Sequence, residues 1–230
     1  MHSIVKAAHS IGINHLETAP SYGPAEDFLG DAIKRLKDHG DEPPGGWIIT
    51  SKLLPGKSLT ESKEQILYSL QRLGISKLDN LAIHGLNLPE HLEWVLKGEG
   101  HELFNWAHGE GLINQIGFSS HGSFSLIDQA ISSKYFQFCS LHLHLLNPEK
   151  IPLAQKALKQ GMGVMAISPA DKGGGLQTPS KTLISDCSPI SPLELAYRFL
   201  IAQGISTLTL GAAKPDELNI AEKLIGMTNS

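Results

Sequence analysis

Short runs of apolar and β-branched residues recur along the chain, each closing on polar side chains. Each is followed by a longer stretch whose apolar positions fall three and four apart. The spacing predicts about seven strands, near Ile13–Glu17, Trp47–Lys52, Asp79–His84, Asn114–Ser119, Phe136–His142, Gly163–Ser168 and Ser206–Leu210. Between them, Phe28, Leu29, Ile33 and Leu36, and then Ile66, Leu67, Leu70 and Leu73, line single helix faces, with Gly30 a tolerated flaw in the first. Thr60 ahead of Lys63 and Glu64 reads as a helix entry. Gly40, Gly74, Gly161 and Gly204 stand where C-terminal caps belong.

Strict alternation of strand and helix implies a parallel sheet, because parallel neighbours need a crossover and a helix is the usual one. No GxGxxG follows an early strand, and polar strand ends come from many strands instead of one switch point. A (β/α)8 TIM barrel is therefore expected over a doubly wound sheet. The chain opens on a helix, Ser3–Ile11, so the barrel is expected to lack its first strand, with residues 1–230 forming a single incomplete domain. Unpaired strand edges would then invite a second copy or a partner chain.

Composition narrows the function. The net charge of −4 offers no basic excess for nucleic acid or an anionic membrane. Cys139 and Cys187 form no CxxC pair, and no apolar run reaches the roughly 20 residues of a membrane span. A soluble, cytoplasmic protein that binds a small molecule is the expectation.

In a βα barrel the chemistry sits where strands end. Here the strands end on Glu17 with Tyr22 close behind, Lys52, His84, Ser119 with Ser120 and His121, His142 with His144, and Ser168 with Asp171. Glu, Tyr, Lys and His together suit proton delivery to a carbonyl oxygen. Lys52 would stabilise the Tyr22 phenolate and lower its pKa, Glu17 would orient Lys52, and His84 would donate a hydrogen bond to the substrate. The run Gly173, Gly174 and Gly175 could cradle phosphate oxygens with backbone N–H groups. An alternative reading takes His142 and His144, an HxH pair with His84, His121 and Asp171 nearby, as ligands of a metal-dependent hydrolase. Another is a non-catalytic barrel that binds nucleotide or a partner.

The run GINHLETAPSYGPAEDFLG (12–30), IITSK ending at Lys52, SLQRLG with LDNLAIH ending at His84, IGFSSH (116–121), GVMAISPADKGG (163–174) and TLGAAKPDEL together resemble the aldo-keto reductases. HLETAPSYG, AIHG and SPADKGG look most like a subgroup that often carries a ferredoxin-like iron–sulfur tail, of which no cysteine cluster is seen here. The resemblance implies NADPH-dependent reduction of an aldehyde or ketone, with Tyr22 as general acid, Lys52 as its pKa modifier and His84 as substrate orienter. It also implies that Ser119, Ser120 and Ser140 lie at the carboxamide, Ser168 and its neighbours at the pyrophosphate, and Lys214 at the adenosine 2′-phosphate. Glu17 stands where the wider family has Asp, Ser120 where Asn is common, and Ser140 where Gln is usual.

Overall fold

The computed structural model describes residues 1–205 and 207–225, apart from the Lys172 side chain. Seven strands pair in parallel, in the order of the sequence: β1 (His15–Glu17), β2 (Ile48–Leu53), β3 (Leu78–Ile83), β4 (Ile113–Ser120), β5 (Phe138–His142), β6 (Gly163–Ile167) and β7 (Thr207–Leu208). Sequence neighbours are spatial neighbours throughout, which is the order of a βα barrel and not that of a doubly wound sheet. Six strands begin and end within two residues of the sequence expectation, and β7 is shorter; Ser206 lies outside the described residues. Among the described residues β1 and β7 are the two ends of the sheet.

The strands have two distinct faces, as a period of two requires. Ile49, Leu53, Leu81, Ile83, Phe118, Cys139, Leu141, Val164 and Ala166 join the apolar core packed against the helices. The alternate positions carry Thr50, Lys52, Asn80, Ser119, Ser140 and His142, and form the inner face. Its polar groups are stitched together: Asn80 Nδ2 donates to Thr50 Oγ1 at 2.9 Å, and His15 Nε2 lies 2.7 Å from the same oxygen. Burial holds the His15 imidazole below its usual pKa despite nearby Asp79.

Helix termini follow local chemistry. The helix Leu59–Leu73 starts two residues earlier than Thr60 suggests: Ser58 is the cap, accepting from Glu61 N, while the Glu61 carboxylate reaches back to Ser58 N. This reciprocal box satisfies two otherwise unpaired N–H groups. Gly74 closes the same helix in the left-handed region, at φ 67°.

Gly30 is a contact, not a flaw. It lies where the helix Ala25–Asp38 crosses Leu59–Leu73, and a Cβ there would stand 2.2 Å from the Arg72 carbonyl oxygen. That oxygen and the Leu73 backbone carbons at 3.0 Å are all main-chain atoms, so the helices must part to admit a methyl group. Gly30→Ala is expected to cost about 2 to 3 kcal/mol, read as a lowered denaturation midpoint; an unchanged midpoint would mean that the helices separate freely.

Candidate active site

Three strand ends and one loop assemble the central cluster. Glu17 is the last residue of β1, Lys52 lies one residue before the end of β2, and His84 immediately follows β3. Tyr22 sits on the turn between β1 and the helix Ala25–Asp38, fixed by its own N–H on the Ala19 carbonyl at 3.0 Å. That helix is anchored beneath the cluster by Glu26, which is fully buried. Its carboxylate accepts from Ser51 Oγ at 2.6 Å, Ser69 Oγ at 3.3 Å and Arg72 Nε at 2.9 Å. Ser51 directly precedes Lys52, so Glu26 ties the tyrosine-bearing segment to the lysine-bearing strand.

Lys52 is 2% exposed, and a buried ammonium is tolerable only if paired. All three of its N–H donors have acceptors: the Glu17 carboxylate in contact with it, the Thr18 carbonyl at 3.2 Å and the Tyr22 hydroxyl at 2.9 Å. Burial pulls Lys52 down to about 7, from an ordinary 10.5, while the Glu17 carboxylate works against loss of the proton. Because Lys52 occupies a lone pair of the Tyr22 oxygen, the phenol proton is left to be given to another group. Tyr22 is 48% exposed, so that proton can reach a ligand.

The Tyr22 pKa departs from the sequence expectation. Burial of the phenol raises it, where a neighbouring ammonium was expected to lower it. The physical reason is that Lys52 is itself desolvated and gives up charge near neutrality, so burial of the phenol dominates. Tyr22 is therefore a fully protonated acid at rest.

The His84 ring meets Tyr22 edge-on, with centroids 5.6 Å apart and an interplanar angle of 88°. Burial, then the charges of Lys52 and His121, push its pKa down to about 4, so the imidazole is neutral at physiological pH. Its Nδ1 lies 3.0 Å from Ser21 Oγ. With the Ser21 hydroxyl donating to Nδ1, the Nε2 proton is the one available to a substrate oxygen.

A cleft of about 1020 Å³ opens beside this cluster, lined among others by Glu17, Thr18, Tyr22, Ser168, Gly173 and Gly174. Ser168, Asp171, Gly173 and Gly174 all take positive φ, at 55°, 67°, 72° and 75°, which makes this loop a succession of tight turns against the cleft. Within it the Asp171 N–H donates to the Ser168 carbonyl and the Gly174 N–H to the Asp171 carbonyl, both at 3.0 Å.

Other expected contacts are not gathered in the same way. Ser119 Oγ accepts from Gly85 N at 3.1 Å and donates to the Ile83 carbonyl at 3.3 Å, and Ser120 Oγ donates to the Leu86 carbonyl at 2.5 Å. Both hydroxyls thus fasten the loop after β3 to the end of β4. Ser140 is fully buried, with its hydroxyl 3.8 Å from the Met165 sulfur. Lys214 is exposed beyond β7, 3.6 Å from the Asp216 carboxylate.

Sequence reasoning did not single out Thr18, Ser21 or Glu26. Glu26 had a signal: it falls on the apolar stripe of its helix, three residues before Leu29, where a carboxylate must find buried partners. Nothing in the pattern marks Thr18, which acts through its carbonyl.

A parallel βα sheet thus carries a Tyr–Lys–His cluster at its strand ends, beside a cleft and a turn-rich loop. A model of the Aldo/keto reductase family matches residues 2–188, and the chain belongs to that family of oxidoreductases. An aldo-keto reductase of Mycobacterium tuberculosis is 27% identical over 224 residues, covering 93% of this chain and 73% of that protein. The NADH-specific methylglyoxal reductase of Escherichia coli is 26% identical over 190 residues, covering 72% of this chain and 55% of that protein. Among solved structures, an aldo-keto reductase from Bacillus halodurans in its holo form superposes with a TM-score of 0.79 at 22% identity, covering 98% of this chain and 81% of that one. A Bombyx mori aldo-keto reductase in complex with NADP gives 0.74 at 22% identity, covering 100% and 78%. These superpositions carry the barrel fold. Among the described residues no helix is long and apolar enough to cross a membrane.

Proposed function

We propose that this chain reduces a small aldehyde or ketone with NADPH, using Tyr22 as the proton donor. The observation that carries the reading is the Lys52 Nζ to Tyr22 hydroxyl contact at 2.9 Å, with the ammonium's other donors satisfied by Glu17 and Thr18. When bound, NADPH supplies the hydride that adds to the carbonyl carbon. Tyr22 gives its proton to the carbonyl oxygen as charge develops there, and Lys52 stabilises the phenolate left behind. His84 orients that oxygen through Nε2–H. The loop bearing Ser168, Gly173 and Gly174 would hold the diphosphate, and Lys214, released from Asp216, the 2′-phosphate. Ser119, Ser120 and Ser140 remain the proposed carboxamide contacts, which requires their hydroxyls to exchange present partners. That the Bombyx mori aldo-keto reductase binds NADP supports this cofactor.

A second reading, association through the sheet ends, is favoured by β1 and β7, each pairing on one side only among the described residues. Titrating the purified chain with NADPH, followed by nicotinamide fluorescence with light-scattering mass on the same sample, tests both. Saturable binding by a folded chain supports the reductase; a folded chain that binds no NADPH removes it, and a monomeric mass removes association.

The pH profile adds a sign. Lys52 must be charged to stabilise the phenolate, and burial sets it near 7, so reduction is expected to be full below that pH and to fall as pH rises through it. Tyr22, raised above its ordinary value of 10, and His84, near 4 and already neutral, produce no fall there. Glu17→Gln removes the carboxylate that opposes proton loss and should move the fall to lower pH. A profile flat between about pH 6 and about pH 9 would contradict the role of Lys52.

A further inference from the structure

A second cluster stands at the same end of the sheet and is not used by the proton chemistry. His142 ends β5 and His144 follows two residues later, so both imidazoles lie on one face, while Leu143 between them is fully buried in the apolar core. Their ring centroids are 4.9 Å apart. Asp171, held in left-handed backbone at φ 67°, brings a carboxylate oxygen within 3.8 Å of His144 Nε2. One ligand atom from each of the three residues lies within 4.8 Å of the others.

We propose that His142, His144 and Asp171 bind a divalent transition-metal ion of the zinc, cobalt or nickel type. Two imidazoles and one carboxylate suit such borderline ions, and not magnesium or calcium, which take oxygen ligands. Bonds of about 2.0 to 2.2 Å place tetrahedral ligand atoms about 3.3 Å apart, so the site closes by up to about 1.5 Å when an ion enters. The closing falls on Asp171, which sits on a loop, whereas His144 is 6% exposed and held just past β5 by a bridge to Asn147. Three protein ligands leave a fourth position open to water or a ligand. A bound ion ties the turn-rich loop 168–174 to the end of β5. The proposal does not rest on the reductase reading, although the loop it engages is the one assigned there to the diphosphate.

Cobalt titration tests it directly, because cobalt in a four-coordinate nitrogen and oxygen site absorbs in the visible. The wild-type chain is expected to take up one cobalt with that spectrum and to release it to zinc. His142→Gln and Asp171→Asn, both partly exposed positions with conservative replacements, should each weaken cobalt binding at least roughly tenfold with circular dichroism unchanged. His39→Gln, on an exposed helix end, should bind as wild type. Absence of the spectrum in the wild-type chain, or undiminished binding by both ligand variants, overturns the proposal.

Discussion

Tyr22→Phe is expected to lower kcat/KM for carbonyl reduction by about 10²- to 10⁴-fold, the span that a positioned general acid contributes. NADPH affinity should stay within about twofold, because the ring that lines the cleft remains and only the hydroxyl is lost. The geometry explains the size of the effect. The Tyr22 oxygen accepts from Lys52 at 2.9 Å, so its own proton points away from the protein's donors and is left for a ligand. Neutral His84, at about 4, has an N–H to offer but no acidic proton to spare. Equal losses of NADPH binding and of turnover would instead make Tyr22 a packing residue of the cleft.

The second large effect concerns stability. Glu26→Ala removes the shared acceptor of Ser51, Ser69 and Arg72, and is expected to cost about 3 kcal/mol, the lower end of what breaking a buried pair costs. The lower end applies because the Arg72 side chain is 30% exposed and can turn to water. The serine hydroxyls, by contrast, are buried and lose their acceptor outright. Urea denaturation reads the loss as a lower midpoint at unchanged slope. Since Ser51 adjoins Lys52, the folded variant should also lose activity. A change below about 1 kcal/mol would mean that the network is not what joins the helix to β2.

Much of this was legible in the sequence because barrel chemistry is written at strand ends. Glu17, Lys52 and His84 each close an apolar run, and the structure sets Lys52 and His84 beside Tyr22 and Glu17 against Lys52. Residue type alone could not say where a strand-end hydroxyl points. Ser119 and Ser120 look like ligand contacts in sequence, yet their hydroxyls hold the loop after β3, a long-range pairing that no local pattern encodes. Gly30 reads as a defect in a helix because its purpose, the passage of Arg72's carbonyl, belongs to another helix. The Ser58 cap was available, since Glu61 completes the box three residues on, whereas Thr60 has Lys63 at that place. The direction of the Tyr22 shift depends on burial of two groups at once and becomes readable only in three dimensions.

The most direct measurement of the central claim uses NADPH carrying deuterium at both hydrogen positions of nicotinamide C4, incubated with the chain and a small aldehyde. The account predicts an alcohol carrying one deuterium on the former carbonyl carbon, formed by the wild-type chain and lost in Tyr22→Phe. Unlabelled alcohol, or labelled alcohol formed equally well by Tyr22→Phe, would contradict it.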